Sequence, residues 1–203
     1  MANADTPFGL RAVRHPLGLS KARVTAYSVP AAYATALYPG DPVVITGTAN
    51  AAEVSAPGVG TLQAGTVQEV NKATVGTGNA ITGVIVGCAA SPDALGKRYI
   101  PASTGGLVFV NDDPDTEFEI QADGAVTAAM AGLNGVLIYT NAGDANTGQS
   151  GAEMSIAGTA PATTAGFQLR ILSIIPRTDN AIGAFAKVLV RINNHTSAAG
   201  VGI

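Results

Sequence analysis

No hydrophobic period is sustained for long in this chain. Apolar stretches such as "RVTAYSVP" (23–30), "ITGVIVGCA" (81–89) and "TEFEIQA" (116–122) are short, and clusters of Gly, Pro, Asn or Asp close them. The first and last alternate apolar and polar positions, which is the period of a half-buried strand. The middle one is continuous and β-branched, as a strand buried on both faces would be. No segment repeats apolar residues at helical spacing over several turns. Many short strands with frequent turns predict an all-β sandwich or barrel of antiparallel strands, with little helix.

The remaining runs fill in the same picture. "YPGDPVVITG" (38–47) reads as a turn feeding a strand, because the two prolines fix φ and Gly40 permits the bend. "KRYIPAS" (97–103) and "GGLVFVN" (105–111) read as short strands. Asn134-Gly135 has the composition of a tight turn before "VLIYT". "FQLRILSIIP" and "FAKVLVRINN" form a final strand pair. Residues 31–37 and 125–133 have room for a helical turn each. Residues 46–80 and 141–165 are rich in Gly, Ala and Thr and are expected to be mostly loops, with about two short strands in the first. No fixed-period repeat and no charged or Pro-rich linker divides the chain. The expected organisation is an extended arm over 1–23 and a single β-rich domain over 24–203.

Charge sharpens that division. Charged residues make up 12% of the chain, against roughly 25% in an average soluble domain. So little charge points to a surface covered in the working state by copies of the chain or by a partner. The net charge is −3, but it is unevenly placed. Arg11, Arg14, Lys21 and Arg23 outweigh Asp5 in the first 23 residues, giving +3 and leaving −6 on the rest. A basic arm on an acidic body can fold back on that body or reach an acidic neighbour. Neither the net charge nor the pI of about 5.2 suggests a nucleic-acid binder. No run approaches the length of a membrane span, and the opening "MANADTPFGL" lacks the basic start and apolar stretch of a secretion signal. A soluble protein made in the cytoplasm is expected.

The acidic stretch "FVNDDPDTEFEIQADG" (109–124) invites a metal or catalytic reading. Counting from Asp113, a helix-flanked calcium loop would need Gly at 118 and Glu at 124; the chain has Phe118 and Gly124. Asp112, Asp113 and Asp115 leave room only for a looser oxygen site. Glu117 and Glu119 point the same way from one strand, whereas glycosidase carboxylates flank a bond from opposite sides. The simpler expectation is a turn at 112–115 followed by a strand whose wet face carries Glu117, Glu119 and Gln121. Cys88 is the only cysteine and lies in an apolar run, so a buried, inert thiol is expected. His15 and His195 lie in the arm and in a polar C-terminal tail, with nothing to bring either to a nucleophile. No hydrolase, zinc-peptidase or dinucleotide motif occurs. No catalytic, cofactor or metal residue is assigned, and no enzyme is expected.

Several segments together carry a resemblance. "MANADTPFGLRAVRH", "YPGDPVV", "YIPASTGGLVFVNDDPDTEFEIQAD" and "LRILSIIPRTDNAIGAFAKVLVRINNH" resemble a group of tailed-bacteriophage virion proteins, small products of head genes associated with capsid cement or decoration. The resemblance implies a β-rich subunit on the virion exterior that binds the major capsid protein, commonly as a homotrimer near three-fold positions. No direct contact with nucleic acid or membrane is implied. On this reading Phe8 and Leu10 would be apolar anchors of the arm. Arg11, Arg14, Lys21 and Arg23 would make charge-assisted contacts to an acidic capsid or neighbouring subunit. The alternative is that the arm pairs with its own body. Competing roles are a head-fibre base, a tail protein or a carbohydrate-binding module, although the aromatics such a module needs are only 5% of residues and do not cluster.

Overall fold

The computed structural model describes residues 3–91 and 95–198. The chain is all-β: its helical elements among the described residues are three single 3-10 turns, one of them at Ala128–Met130 inside the expected 125–133 segment. Strands β1 (Arg11–Arg14), β2 (Val24–Val29), β3 (Pro42–Ala49), β4 (Val54–Ala56), β5 (Gly60–Leu62), β6 (Gln68–Lys72) and β7 (Gly83–Cys88) make up the first half. Then come β8 (Gly106–Asn111), β9 (Glu117–Gln121), β10 (Asn134–Gly135), β11 (Leu137–Ile138), β12 (Glu153–Met154), β13 (Leu169–Ile174) and β14 (Lys187–Ile192).

Two bodies of sheet are built from these strands. β2, β6, β3, β7 and β8 close into a small barrel, and β1, β9, β14, β13 and β10 form an open five-stranded sheet in that order. Between the strands of the described residues pairing is antiparallel except for a brief parallel contact of β2 with β6 at Ser28 and Glu69, and two isolated bridges, Ile81 to His195 and Ala122 to Met154, are also parallel. The alternation seen in the sequence sets both cores. Tyr27, Val29, Val43, Val70, Ile85, Val108 and Val110 fill the barrel. Phe118, Ile120, Leu169, Ile171, Val188 and Val190 line the inner face of the sheet. β7 joins the two, since Val84 packs in the sheet core and its neighbour Ile85 packs in the barrel. That two-sided burial explains the unbroken apolar run at 81–89. Gly83 is required there: a Cβ would strike the carbonyl oxygen of Asn111 on the neighbouring strand.

Four local expectations are corrected. Asn134-Gly135 is a strand rather than a turn. Asn134 exchanges backbone hydrogen bonds with Ala162, and both residues pair with β13. The 46–80 segment is more regular than its composition suggested, holding β4, β5, β6 and the end of β3. "KRYIPAS" contributes only a single bridge, Ile100 to Leu37. Finally, the polar face of β9 is not wet. Glu119 is 2% exposed and Gln121 is fully buried. The Arg177 guanidinium caps Glu119 at 2.7 Å. The chain ahead of β1 covers Gln121, whose amide donates to the carbonyls of Ala4 and Phe185 and accepts from the Thr6 N–H.

The first residues are therefore not detached from the body. β1 is an edge strand of the five-stranded sheet, pairing with β9 from Arg11–Glu119 to Arg14–Glu117 across a bulge. Leu10 is 3% exposed in the sheet core. Just before it, Gly9 adopts φ +74°, and a Cβ there would collide with the carbonyl oxygen of Gly40. The Leu10 N–H donates to that same carbonyl. Only Gly at position 9 lets the segment lie this close to the barrel's entry turn.

Candidate interaction surface

The basic N-terminal segment and the acidic stretch at 112–117 are the two halves of one arrangement. β1 places Arg14 beside β9, and Nε of Arg14 lies 2.6 Å from Oε2 of Glu117. The turn after β1 brings Nε2 of His15 to 3.3 Å from Oδ2 of Asp113. The start of β2 pairs with the end of β8, so Arg23 meets Asp112 at 2.8 Å and also donates to the Asp112 carbonyl. The hydroxyl of Tyr27 donates to the other Asp112 oxygen at 2.9 Å. Burial and the adjacent Asp112 charge push the Tyr27 phenol up to about 12, so it stays a donor. Burial works against the charged form of Asp113. Backbone N–H groups of Asp115 and Arg23, helped by His15, outweigh it and hold that carboxyl below its ordinary range.

The six residues expected to face a partner consequently split. Leu10 is a core residue, because β1 carries it under the sheet. Arg14 and Arg23 are each paired with a carboxylate of the same chain. Arg11 stacks over the half-buried Phe8 ring at 4.7 Å. Arg11 and Lys21 have no carboxylate within ion-pair distance among the described residues. The turn between β1 and β2 also exposes Leu17 (78%) and Leu19 (44%) beside Lys21, and the first residue of β2, Val24, is 51% exposed. Sequence reading passed over these leucines. Their signal is visible in "HPLGLSK", where two leucines flank a glycine in a loop with no apolar period to bury them.

The groups that could do chemistry are buried or bonded within the fold, although the buried Nε2 of His195 has no hydrogen-bond partner among the described residues. Nδ1 of His15 accepts the Leu17 N–H and Nε2 faces Asp113, so both ring nitrogens are engaged within the fold. His195 belongs to the fold rather than to a loose tail. It is buried, bridges to Ile81 and accepts the Ser197 N–H at Nδ1; burial lowers its pKa. Burial pushes the Cys88 thiol up to about 12, far from a reactive thiolate. An open cleft of about 940 Å³ lies at one end of the barrel, edged by Asn50, Glu69, Ala89, Lys97, Tyr99 and Leu107. No His, Cys or Asp lines it among the described residues. Nor do the described residues hold a cluster of three His, Cys, Asp or Glu suited to a metal ion.

Two measurable consequences arise here. Because Asp112, Asp113 and Glu117 are committed to Arg23, His15 and Arg14, the melting temperature is expected to be the same in EDTA and in excess calcium. A calcium-dependent rise would mean a native-state site, since such binding must raise stability. The second concerns Glu153 in β12. Burial, then the charges of Asp5 and Asp123, raise its pKa above the ordinary carboxylate value. The folded protein thus holds the proton more tightly than the unfolded chain. Its ionisation erodes stability as pH rises through the folded pKa, and the loss is complete above it. Glu153→Gln is expected to melt higher than the parent at pH 7, with the gap closing below about pH 4, where the Glu153 carboxyl is protonated in the folded and the unfolded chain alike. An unchanged or lower melting temperature at pH 7 would refute the effect.

Comparison with protein families, with curated proteins and with solved structures finds no match for the chain. What the fold and the site define by themselves is a class: an all-β protein of a small barrel joined to an open sheet. Its N-terminal basic segment neutralises its own acidic turn, and a short apolar, cationic loop is left facing outward.

Proposed function

We propose that this chain is a non-enzymatic structural protein of a tailed-phage virion, which binds the outer surface of the capsid and stabilises the expanded shell. The observation that carries the reading is the resemblance of four separated segments, including both ends of the β-rich body, to cement and decoration proteins. The low charge of the chain and the outward leucines beside Lys21 support it. Exposed apolar side chains next to a cation with no carboxylate partner among the described residues suit attachment to a surface better than free solution.

The mechanism is mechanical. A subunit that straddles capsid neighbours buries area that reopens only when the shell opens. Each contact is weak, but a trimer engages several at once, so avidity makes the set effective. Arg11, Lys21, Leu17 and Leu19 supply the N-terminal share of that contact. Arg14 and Arg23 serve it indirectly by holding the loop in place. The purified protein is expected to sediment as a trimer and to pellet with expanded capsids but not with isolated tails. Pelleting with tails alone would move the role to a tail component, and pelleting with neither would remove the virion reading.

A further inference from the structure

We propose that the outer face of the five-stranded sheet docks a carboxylate-bearing surface of another protein, held between Arg170 and Arg191. Register carries the argument. Antiparallel pairing puts Arg14, Glu117, Arg191, Arg170 and Asn134 in one row across β1, β9, β14, β13 and β10. Their neighbours Phe118, Val190 and Ile171 point into the core, so this row points outward. Three guanidiniums thus share one carboxylate within the row. Glu117 is taken by Arg14 at 2.6 Å, and Asp115 reaches Arg191 only at 3.8 Å. Arg170 is exposed and has no carboxylate within ion-pair distance among the described residues.

Two like charges directly opposite on adjacent strands destabilise a sheet. Most other charges on this face are matched, Arg14 with Glu117, Arg177 with Glu119 and Lys187 with Asp179, while Arg11 lies over the Phe8 ring. An incoming carboxylate would turn that repulsion into two charge-assisted contacts, with the planar guanidiniums free to engage it side by side. A protein surface fits better than nucleic acid, because Glu117 and Asp115 border the two arginines and would repel a run of phosphates. If the chain is a capsid-binding protein, the occupant is an acidic patch of the shell. That identity rests on the proposed function; the site itself does not.

The test needs no capsid. Poly-L-glutamate is titrated into the full-length protein at low salt and followed by calorimetry, with Arg170→Thr and Lys97→Thr compared with the parent. Thr keeps strand propensity, and Lys97 is a cation outside the row, at the edge of the barrel cleft. Arg170→Thr is expected to weaken binding about tenfold, as loss of one charge-assisted contact would. It should also raise the melting temperature by about 1–3 °C by relieving the repulsion. Lys97→Thr should change neither. Equal weakening by both variants, or no binding, would overturn the site as a diffuse charge effect. Tighter binding of duplex DNA that also depends on Arg170 would overturn the choice of partner, and so would self-association abolished by Arg170→Thr.

Discussion

Deleting residues 1–23 is expected to cost the protein its cooperative melting transition. The segment looks detachable in sequence, being basic, aperiodic and broken by Pro and Gly, and on that reading its loss would spare the fold. The structure reverses the expectation. Leu10 lies in the sheet core, and truncating it alone to Ala should cost about 2–5 kcal/mol. The deletion also exposes β9 as an edge and leaves the buried Gln121 amide without its bonds to Ala4 and Thr6. Asp112 keeps the Tyr27 hydroxyl but loses its Arg23 counter-charge, and Asp113 loses His15. Circular dichroism through a thermal ramp reads the outcome. A truncated chain that melts within a few degrees of the parent would show that the segment is an appendage after all.

A comparably large effect is expected at Asp41 and Lys72. Asp41 is fully buried just before β3, and Lys72 ends β6; Nζ lies 2.9 Å from Oδ1. The Ser150 hydroxyl donates to the same oxygen at 2.6 Å, and the Tyr38 N–H donates to the other at 2.9 Å. The ammonium also sits 4.4 Å above the Tyr139 ring. The pair fastens the barrel to the loop that carries Ser150, on the side where Gly9 and Gly40 meet. Removing one member strands the other's charge in a poorly solvated site. Asp41→Ala or Lys72→Met should each cost about 3–5 kcal/mol in urea unfolding. The double variant should cost much less than the sum, because neither charge is then left alone. Additive losses would mean that the two side chains act independently.

These two sites mark where local reading stops. The strands at 24–29, 83–88, 106–111, 117–121, 169–174 and 187–192 were legible, because each has its own period and its own punctuation. β10 was not. Asn-Gly is a turn signal only when nothing nearby can pair with it, and Ala162 and β13 do. The faces of β9 were assigned correctly as apolar and polar, yet the burial of the polar one depends on Arg177 and on residues 4–6, far away in sequence. The Asp41–Lys72 pair and the Arg170–Arg191 opposition are likewise products of register, which no local pattern specifies. Charge asymmetry did point to the basic segment and to the acidic stretch separately. It did not say that they meet, because a +3 segment and a −6 body can pair within one chain or between two.

The position of the protein on the particle is the decisive observation. Expanded capsids saturated with the purified chain and reconstructed by electron cryo-microscopy should carry its density on the outer shell at three-fold or quasi-three-fold positions. The turn holding Leu17, Leu19 and Lys21 should lie against the shell. Bare shells at saturating protein, or density confined to the tail, would contradict it.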